Sequence, residues 1–181
     1  AKRGAFVAVS GRRLERLEET VAAMGSGLAI QADVTVDADL QRAIDQIVAH
    51  HGRLDVVIAN AGFSVSGTIE QLDRETWQRQ LELNVVSAAM TAKLAIPALR
   101  ETRGRIALVG SVASFTPVPR VGAYSASKAA VLLLGRTLSA ELEADGISCT
   151  VLQPGFVHSE IAQVANDGSF DPERVDKRPA N

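Results

Sequence analysis

Short, nearly continuous apolar runs alternate with amphipathic helical stretches along most of this chain, and that alternation restricts the fold more than any other feature. Ala5–Ser10, Gly27–Ala32, Leu54–Ala59, Arg105–Gly110 and Ile147–Gln153 read as strands without the every-other-residue polarity of a half-solvated sheet. Between them, one helical face carries Leu14, Leu17, Val21 and Met24, and another, over Asp37–His51, carries Leu40, Ile44, Ile47 and Val48. Two longer helices are predicted, from about Arg74 to Leu99 and from about Tyr124 to Ala144. Strands buried on both faces and separated by helices imply an α/β domain: a doubly wound parallel sheet between two helical layers, a three-layer αβα sandwich. No repeat or linker divides it, so residues 1–181 read as one domain. The polar Asn166–Asn181 end, within a 160–181 substrate-side loop or lid, falls outside the pattern.

Composition removes several classes of function. With 19 Lys+Arg against 21 Asp+Glu and a formal net charge of −2, nothing draws the chain to nucleic acid or to an anionic membrane. The most apolar stretch, Val85–Leu99, is broken by Lys93 and Pro97 and is shorter than the roughly 20 residues a bilayer span needs. A single cysteine, Cys149, excludes an internal disulfide framework, and with three histidines it offers no Cys/His metal set, so no metal site is expected. Cys149 itself reads as a core residue, and a reducing, cytoplasmic setting suits it. Lys2 and Arg3 before an apolar run resemble the start of a signal peptide, but Arg12 and Arg13 stand where its cleavage site would be.

In open parallel sheets, ligands sit at the carboxyl ends of the strands, so polar residues there are candidates. The first strand ends in Ser10-Gly11-Arg12-Arg13: two arginines at a helix start, suited to a phosphate, or a solvated helix terminus balanced by Glu15 and Glu18. Asp33, followed by Val34 and Thr35, can accept from an adenine amino group or bond its own loop. Asn60-Ala61-Gly62 either lets backbone approach a ligand closely or makes an ordinary strand-to-helix turn. Ser111 ends the fourth strand, and Tyr124 and Lys128 follow at i and i+4 on one helical face. An ammonium beside a phenol favours the phenolate, which an isolated phenol populates at only about one part in a thousand at pH 7. Such a pair donates and accepts protons in alcohol–ketone chemistry, with the Ser111 hydroxyl in reach of the same oxygen.

Taken in order and spacing, SGRR (10–13), ADVT (32–35), ANAG (59–62), Asn84 in LELNVV, VGSVAS (109–114), YSASK (124–128) and PGFVHS (154–159) resemble the short-chain dehydrogenase/reductase family, in its single-domain NAD(P)-dependent form. The resemblance implies a Rossmann-type sheet and assigns roles. Tyr124 would be the general acid/base, Lys128 its partner and a holder of the nicotinamide ribose, and Ser111 the orienter of the substrate carbonyl. Asn84 would hold a water in a proton relay to Lys128. Arg12 matches the position that selects NADP(H) over NAD(H), with Gly11 where NAD users carry Asp. Asp33 and Val34 would meet adenine, and Asn60, Ala61 and Gly62 the central cofactor region. Pro154, Gly155, Val157 and Ser159 would meet the nicotinamide carboxamide, Ser159 standing where the family usually has Thr.

The family's glycine-rich phosphate loop has no counterpart here, since Gly25-Ser26-Gly27 precedes a strand instead of following one. On the family pattern a strand, loop and helix of roughly 20–25 residues would precede Ala1–Gly4, and a strand and helix would follow. The fold is therefore expected to be incomplete at both ends, an excerpt of a longer protein. The first absent strand would lie at the sheet centre, between the strands ending at Ser10 and Ala59.

The implied function is an NADP-preferring oxidoreductase interconverting a ketone and a secondary alcohol. The alternative is a non-catalytic dinucleotide-binding or scaffold protein on the same fold. An epimerase or dehydratase relative would need a larger substrate domain. Phe115–Val121 would form a wall of the substrate pocket, where Arg120 could meet an acidic group. His50 and His51 read as cationic caps of a helix end, and His158 as a solvated loop residue. By the same resemblance, the two long helices are the contact surfaces of a homodimer or homotetramer.

Overall fold

A computed structural model of the chain describes residues 3–157 and 159–173. Its elements run β1 (Ala8–Gly11), α1 (Leu14–Met24), β2 (Leu28–Gln31), α2 (Asp37–His51), β3 (Val56–Ala59) and α3 (Arg74–Leu81). A π turn (Glu82–Val86) leads from α3 into α4 (Ser87–Thr102), followed by β4 (Arg105–Val109), α5 (Gly122–Glu141) and β5 (Ser148–Leu152). Short 3₁₀ turns at Val112–Ser114 and Glu160–Gln163 follow β4 and β5. All strand pairs are parallel, as the alternating pattern requires. Among the described residues, no helix is long and apolar enough to cross a membrane.

The sheet is divided between the strands ending at Gly11 and Ala59, the gap that the sequence pattern anticipates. β1 pairs only with β2, while β3, β4 and β5 form a separate sheet in that order. Among the described residues no strand hydrogen-bonds to both β1 and β3, so their facing edges stay apart. Helix α2 joins the halves: Ala43 packs with Ile30 and Ala32 under β2, Ile44 enters the larger core, and Ile47 touches both clusters.

Among the described residues, helices pack on one face of β3–β5. Register places Val57, Ala59, Ile106, Leu108, Cys149 and Val151 on one face, packed on Ala92, Ala95 and Leu99 of α4 and Val131 and Leu138 of α5. On the opposite face Val56, Ile58 and Leu152 are about half exposed, at 49%, 58% and 47%. These strands read as fully buried because their residues are apolar on both faces, but only one face is covered here.

The packing of α5 on β5 is close enough to test. A Cβ on Gly135 would lie 2.2 Å from Val151 Cγ2. Gly135→Ala gains about 1 kcal/mol of helix propensity but overpacks at a cost of about 1–3 kcal/mol, for an expected net loss near 1 kcal/mol. A thermal melt should show a lowered Tm; an unchanged or raised Tm would refute this contact.

Glycines 25 and 27 have local reasons that do not involve a phosphate. Gly25 ends α1 in the left-handed region at φ 80°, and a Cβ on Gly27 would lie 2.6 Å from the Val7 carbonyl oxygen. At the end of α2, Phe6 stacks on His51 with ring centroids 4.6 Å apart. Among the described residues, no cluster of three His, Cys, Asp or Glu side chains could hold a metal.

Candidate active site

The predicted helix over Arg74–Leu99 is interrupted where a functional residue stands. Between α3 and α4 the backbone widens into the π turn, with Ser87 N–H donating to Glu82 O, five residues back. Leu83 O instead accepts the Ser87 hydroxyl at 2.5 Å. A π turn adds one residue to the helix without ending it, and it re-aims the side chain it carries. That side chain is Asn84, 1% exposed. Its Oδ1 accepts from Phe63 N–H at 3.0 Å, and its Nδ2 donates to Phe63 O and to Ser127 Oγ, each at 3.0 Å. One helical turn earlier Gln80, fully buried, accepts from Val65 N–H and donates to the same Phe63 carbonyl. The two amides therefore pin the loop after β3 as a strand would, and bind it to α5 through Ser127.

Ser127 passes the connection on: its hydroxyl donates to Tyr124 O at 2.7 Å. Lys128 is 5% exposed, and its Nζ donates to Val109 O at 2.7 Å, beside the end of β4. An ammonium has three donors, so two remain beyond that bond. Nζ lies 5.8 Å from the centre of the Tyr124 ring. Burial strips water from the ammonium and pushes its pKa from the ordinary 10.5 down to about 8.

Ser111, 7% exposed, is held from both sides. Its N–H donates to Gln153 Oε1 at 2.8 Å, and its hydroxyl oxygen accepts from Ala113 N–H at 3.2 Å, leaving the O–H to point elsewhere. Gln153 also accepts from Ser114 Oγ at 3.2 Å and thus locks the end of β5 to the end of β4. Gly110 permits this, since a Cβ there would lie 2.7 Å from Gln153 Oε1. Gln80, Gln153 and Ser127 were not singled out from the sequence. The signals were present: a Gln four residues before Asn84, and a Gln closing the last predicted strand.

Gly62 joins the cluster. A Cβ on it would approach Asn84 Oδ1 at 3.1 Å and Lys128 Nζ at 3.5 Å, so its missing side chain is the space in front of the ammonium. Asn60 and Ala61 are exposed next to it, and Pro154 accepts from Val112 N–H at 3.1 Å beside Ser111. Gly155, Val157 and Ser159 lie exposed further along this segment; His158 is outside the described residues. In the loop expected to wall the substrate pocket, Phe115 and Val118 are 62% and 44% exposed. Arg120 is left-handed at φ 68°, and its carbonyl accepts from Gly67 N–H at 2.7 Å.

Arg12, Asp33 and Val34 belong to the other half, at the ends of β1 and β2, in the sheet separate from the β4 strand that leads to Ser111. Arg12 is exposed and its side chain has no hydrogen bond or ion pair among the described residues. Asp33 bonds its own loop: Oδ1 accepts from Thr35 N–H at 2.9 Å and from Thr35 Oγ1–H at 2.7 Å. Its second oxygen has no hydrogen bond among the described residues.

These residues fit a nicotinamide dinucleotide at its two ends. Two free donors of a buried ammonium face space kept open by Gly62, which suits the hydroxyls of a ribose. An unpaired guanidinium stands at the other end. For the pyrophosphate between them, no Gly-x-Gly turn follows a strand among the described residues.

Comparisons with known proteins identify the family. The short chain dehydrogenase family model matches residues 1–169. The chain is 38% identical over 169 residues to 11-beta-hydroxysteroid dehydrogenase A of Arachis hypogaea, covering 90% of this chain and 48% of that protein. It is 31% identical over 170 residues to dehydrogenase/reductase SDR family member 4 of Bos taurus, covering 91% and 61%. The chain thus spans about half the length of the first curated relatives it matches. Among solved structures, a short-chain dehydrogenase from Streptomyces avermitilis superposes with a TM-score of 0.81 at 30% identity, covering 87% of this chain and 58% of that one. A gluconate 5-dehydrogenase from Burkholderia cenocepacia, in complex with NADP and tartrate, superposes with a TM-score of 0.83 at 23% identity, covering 90% and 66%, which speaks to the Rossmann-type fold alone. A fold of parallel strands and helices, matched by the family model over nearly all of its residues, makes this chain a member of the short-chain dehydrogenase family.

Proposed function

We propose that residues 1–181 act as one dinucleotide-binding and catalytic domain of an NADP-preferring oxidoreductase that interconverts a ketone and a secondary alcohol. The observation that carries this reading is the linked set at the strand ends: Asn84 bonded to Ser127, Ser127 to Tyr124, and the Lys128 ammonium buried beside Ser111's strand. A scaffold has no use for a buried ammonium with two free donors.

A nicotinamide, when bound, supplies or accepts the hydride at the substrate carbon. The protein's own part is proton transfer and positioning. In the reducing direction the Tyr124 hydroxyl gives its proton to the substrate oxygen, and in the oxidising direction it takes the alcohol proton. The Ser111 hydroxyl donates to the same oxygen and fixes its direction. Lys128, beside the Tyr124 ring, favours the phenolate left behind, and its remaining donors hold the ribose. Asn84 positions the loop around Gly62 and the start of α5 against each other. Pro154, Gly155, Val157 and Ser159 take the carboxamide side, with Asn60 and Ala61 beside Gly62. A screen for NADPH oxidation across ketones tests the reading; sustained inactivity of protein that binds NADPH would favour the scaffold instead.

Arg12 carries the cofactor preference, supported by its unpaired guanidinium, while Asp33 and Val34 meet adenine. Solved relatives occur with either cofactor, NADP in the gluconate 5-dehydrogenase and NADH in a 3-ketoacyl-(acyl-carrier-protein) reductase from Brucella melitensis. Arg12→Ala is expected to weaken NADPH binding about 10–100-fold through loss of charge-assisted hydrogen bonds, and to leave NADH almost unchanged. An unchanged NADPH/NADH ratio would refute the assignment. A homodimer or homotetramer through the long helices accords with exposed Leu81, Val86 and Leu133, and the free Cys149 thiol with a cytoplasmic setting.

A further inference from the structure

The segment after β5 does not hang free over the substrate side. It reaches back to the arginines at the start of α1. Glu160 Oε2 accepts from Arg13 Nη2 at 2.5 Å, and Glu160 Oε1 lies 3.7 Å from Arg16 Nη2. The Phe170 ring lies under the same Arg13 guanidinium, 4.5 Å away. Arg13 chiefly, and Arg16 after it, hold the Glu160 carboxyl below its usual range. The far side of the segment is tied to the loop after β3. Asn166 accepts from Ser66 N–H and donates to Ser66 O, each at 2.9 Å, and Arg79 Nη1 donates to Asn166 O at 2.8 Å. Between these anchors the chain folds on itself through a bridge from Val164 to Phe170 and an Ala165–Ser169 hydrogen bond.

We propose that Glu160 is a specificity-determining residue, an internal anion that competes with a cofactor 2′-phosphate for the arginine corner. This rests on the reading that Arg12 takes that phosphate. Of the arginines there, Arg12 has no ion pair among the described residues; Arg13 is paired with the carboxylate of Glu160, while Arg16 pairs with Glu19 at 2.9 Å and has Glu160 only as a second, more distant partner. A 2′-phosphate approaching Arg12 meets the Glu160 charge at the neighbouring residue, so it binds with the strap displaced or binds less well. NADH, lacking that phosphate, has no quarrel with Glu160. The Arg13–Glu160 pair is about half exposed on both sides, at 47% and 45%, and a phosphate with nearly two charges outcompetes a single carboxylate in such a setting. Because the strap's other anchor is Ser66, displacement at the arginine corner also loosens the segment over the loop that Asn84 and Gln80 pin. By linkage, what binds better with the strap displaced will displace it.

The test is a fluorescence titration of NADPH and NADH against the full-length protein and its Glu160→Gln, Glu160→Asp and Arg12→Ala variants. Glu160→Gln keeps size and polarity but removes the charge. It is expected to tighten NADPH binding about 3–5-fold, the range of a half-exposed ion pair, with NADH unchanged and Glu160→Asp like the parent. A merely structural role for Glu160 would move both cofactors together. If Arg12→Ala collapses the NADPH preference while Glu160→Gln leaves the ratio unmoved, or weakens NADPH, the competition is overturned and the cofactor assignment stands. If Arg12→Ala leaves the ratio unmoved, the 2′-phosphate reading itself fails, and the competition with it.

Discussion

Tyr124→Phe is expected to lower ketone turnover with NADPH by about 10²–10⁴-fold, the usual contribution of a positioned general acid. NADPH affinity and Tm should stay close to the parent's. The separation of effects follows from the local geometry. The ring is half-buried and faces the Lys128 ammonium, but its hydroxyl has no hydrogen-bond partner among the described residues. Removing it therefore orphans no buried group, and a volume-conserving change at this position costs little stability. The Ser127 bond runs to the Tyr124 backbone carbonyl, which the substitution keeps, so the Asn84–Ser127 link survives. Lys128 still reaches Val109, so the ammonium keeps its place for the ribose. Stopped-flow or steady-state assays beside a binding titration separate the two quantities. Retained turnover in Tyr124→Phe would remove Tyr124 from the proton step and pass that role to another group.

How much of this was legible before the structure depended on the range of the interactions. Helix α2 begins and ends where its periodicity and caps place it, at Asp37 and at His51 before Gly52, because both signals are local. The strands were located but read long. Ladder pairing shifts Ala5–Ser10 to Ala8–Gly11 and trims Leu54–Ala59 to Val56–Ala59, since hydrogen bonding depends on a neighbour that apolar character does not reveal. The π turn at Asn84 escaped because a single inserted residue leaves the apolar periodicity of a long helix nearly intact, and only the Ser87–Glu82 hydrogen bond betrays it. The bare face of β3–β5 depends on which elements meet, a long-range matter. The same holds for the strap: Glu160 and Arg13 are 147 residues apart in sequence, and no local pattern links them. The residues of the Tyr124 cluster were legible because the chemistry restricts residue types at strand ends. The amides that hold them, Gln80 and Gln153, were not, because a buried Gln is recognisable only once its partners are known.

Lys128 joins function to stability, and its effect on the pH dependence of unfolding should be large. The folded protein releases the Lys128 proton at about 8, whereas the unfolded chain holds it to the ordinary 10.5. Below pH 8 both states are charged and the full desolvation cost, about 3 kcal/mol, weighs on the folded state. Between pH 8 and 10.5 the unfolded state binds more protons, so this residue's contribution rises with pH until both are neutral. Lys128→Met removes the titration. Its stability relative to the parent should therefore be more favourable at pH 7 than at pH 10, by about 2–3 kcal/mol, because the parent recovers part of its cost as pH rises. The lost bond to Val109 O shifts both values by a similar amount and leaves the difference. Turnover moves the opposite way: without an ammonium beside Tyr124, activity should fall about 10²-fold or more at neutral pH. Denaturant melts of both proteins at the two pH values, beside assays at pH 7, decide the matter. A pH-independent stability difference would show the ammonium to be solvated. A more stable, inactive Lys128→Met would show a buried charge kept at the expense of stability for the proton chemistry of Tyr124.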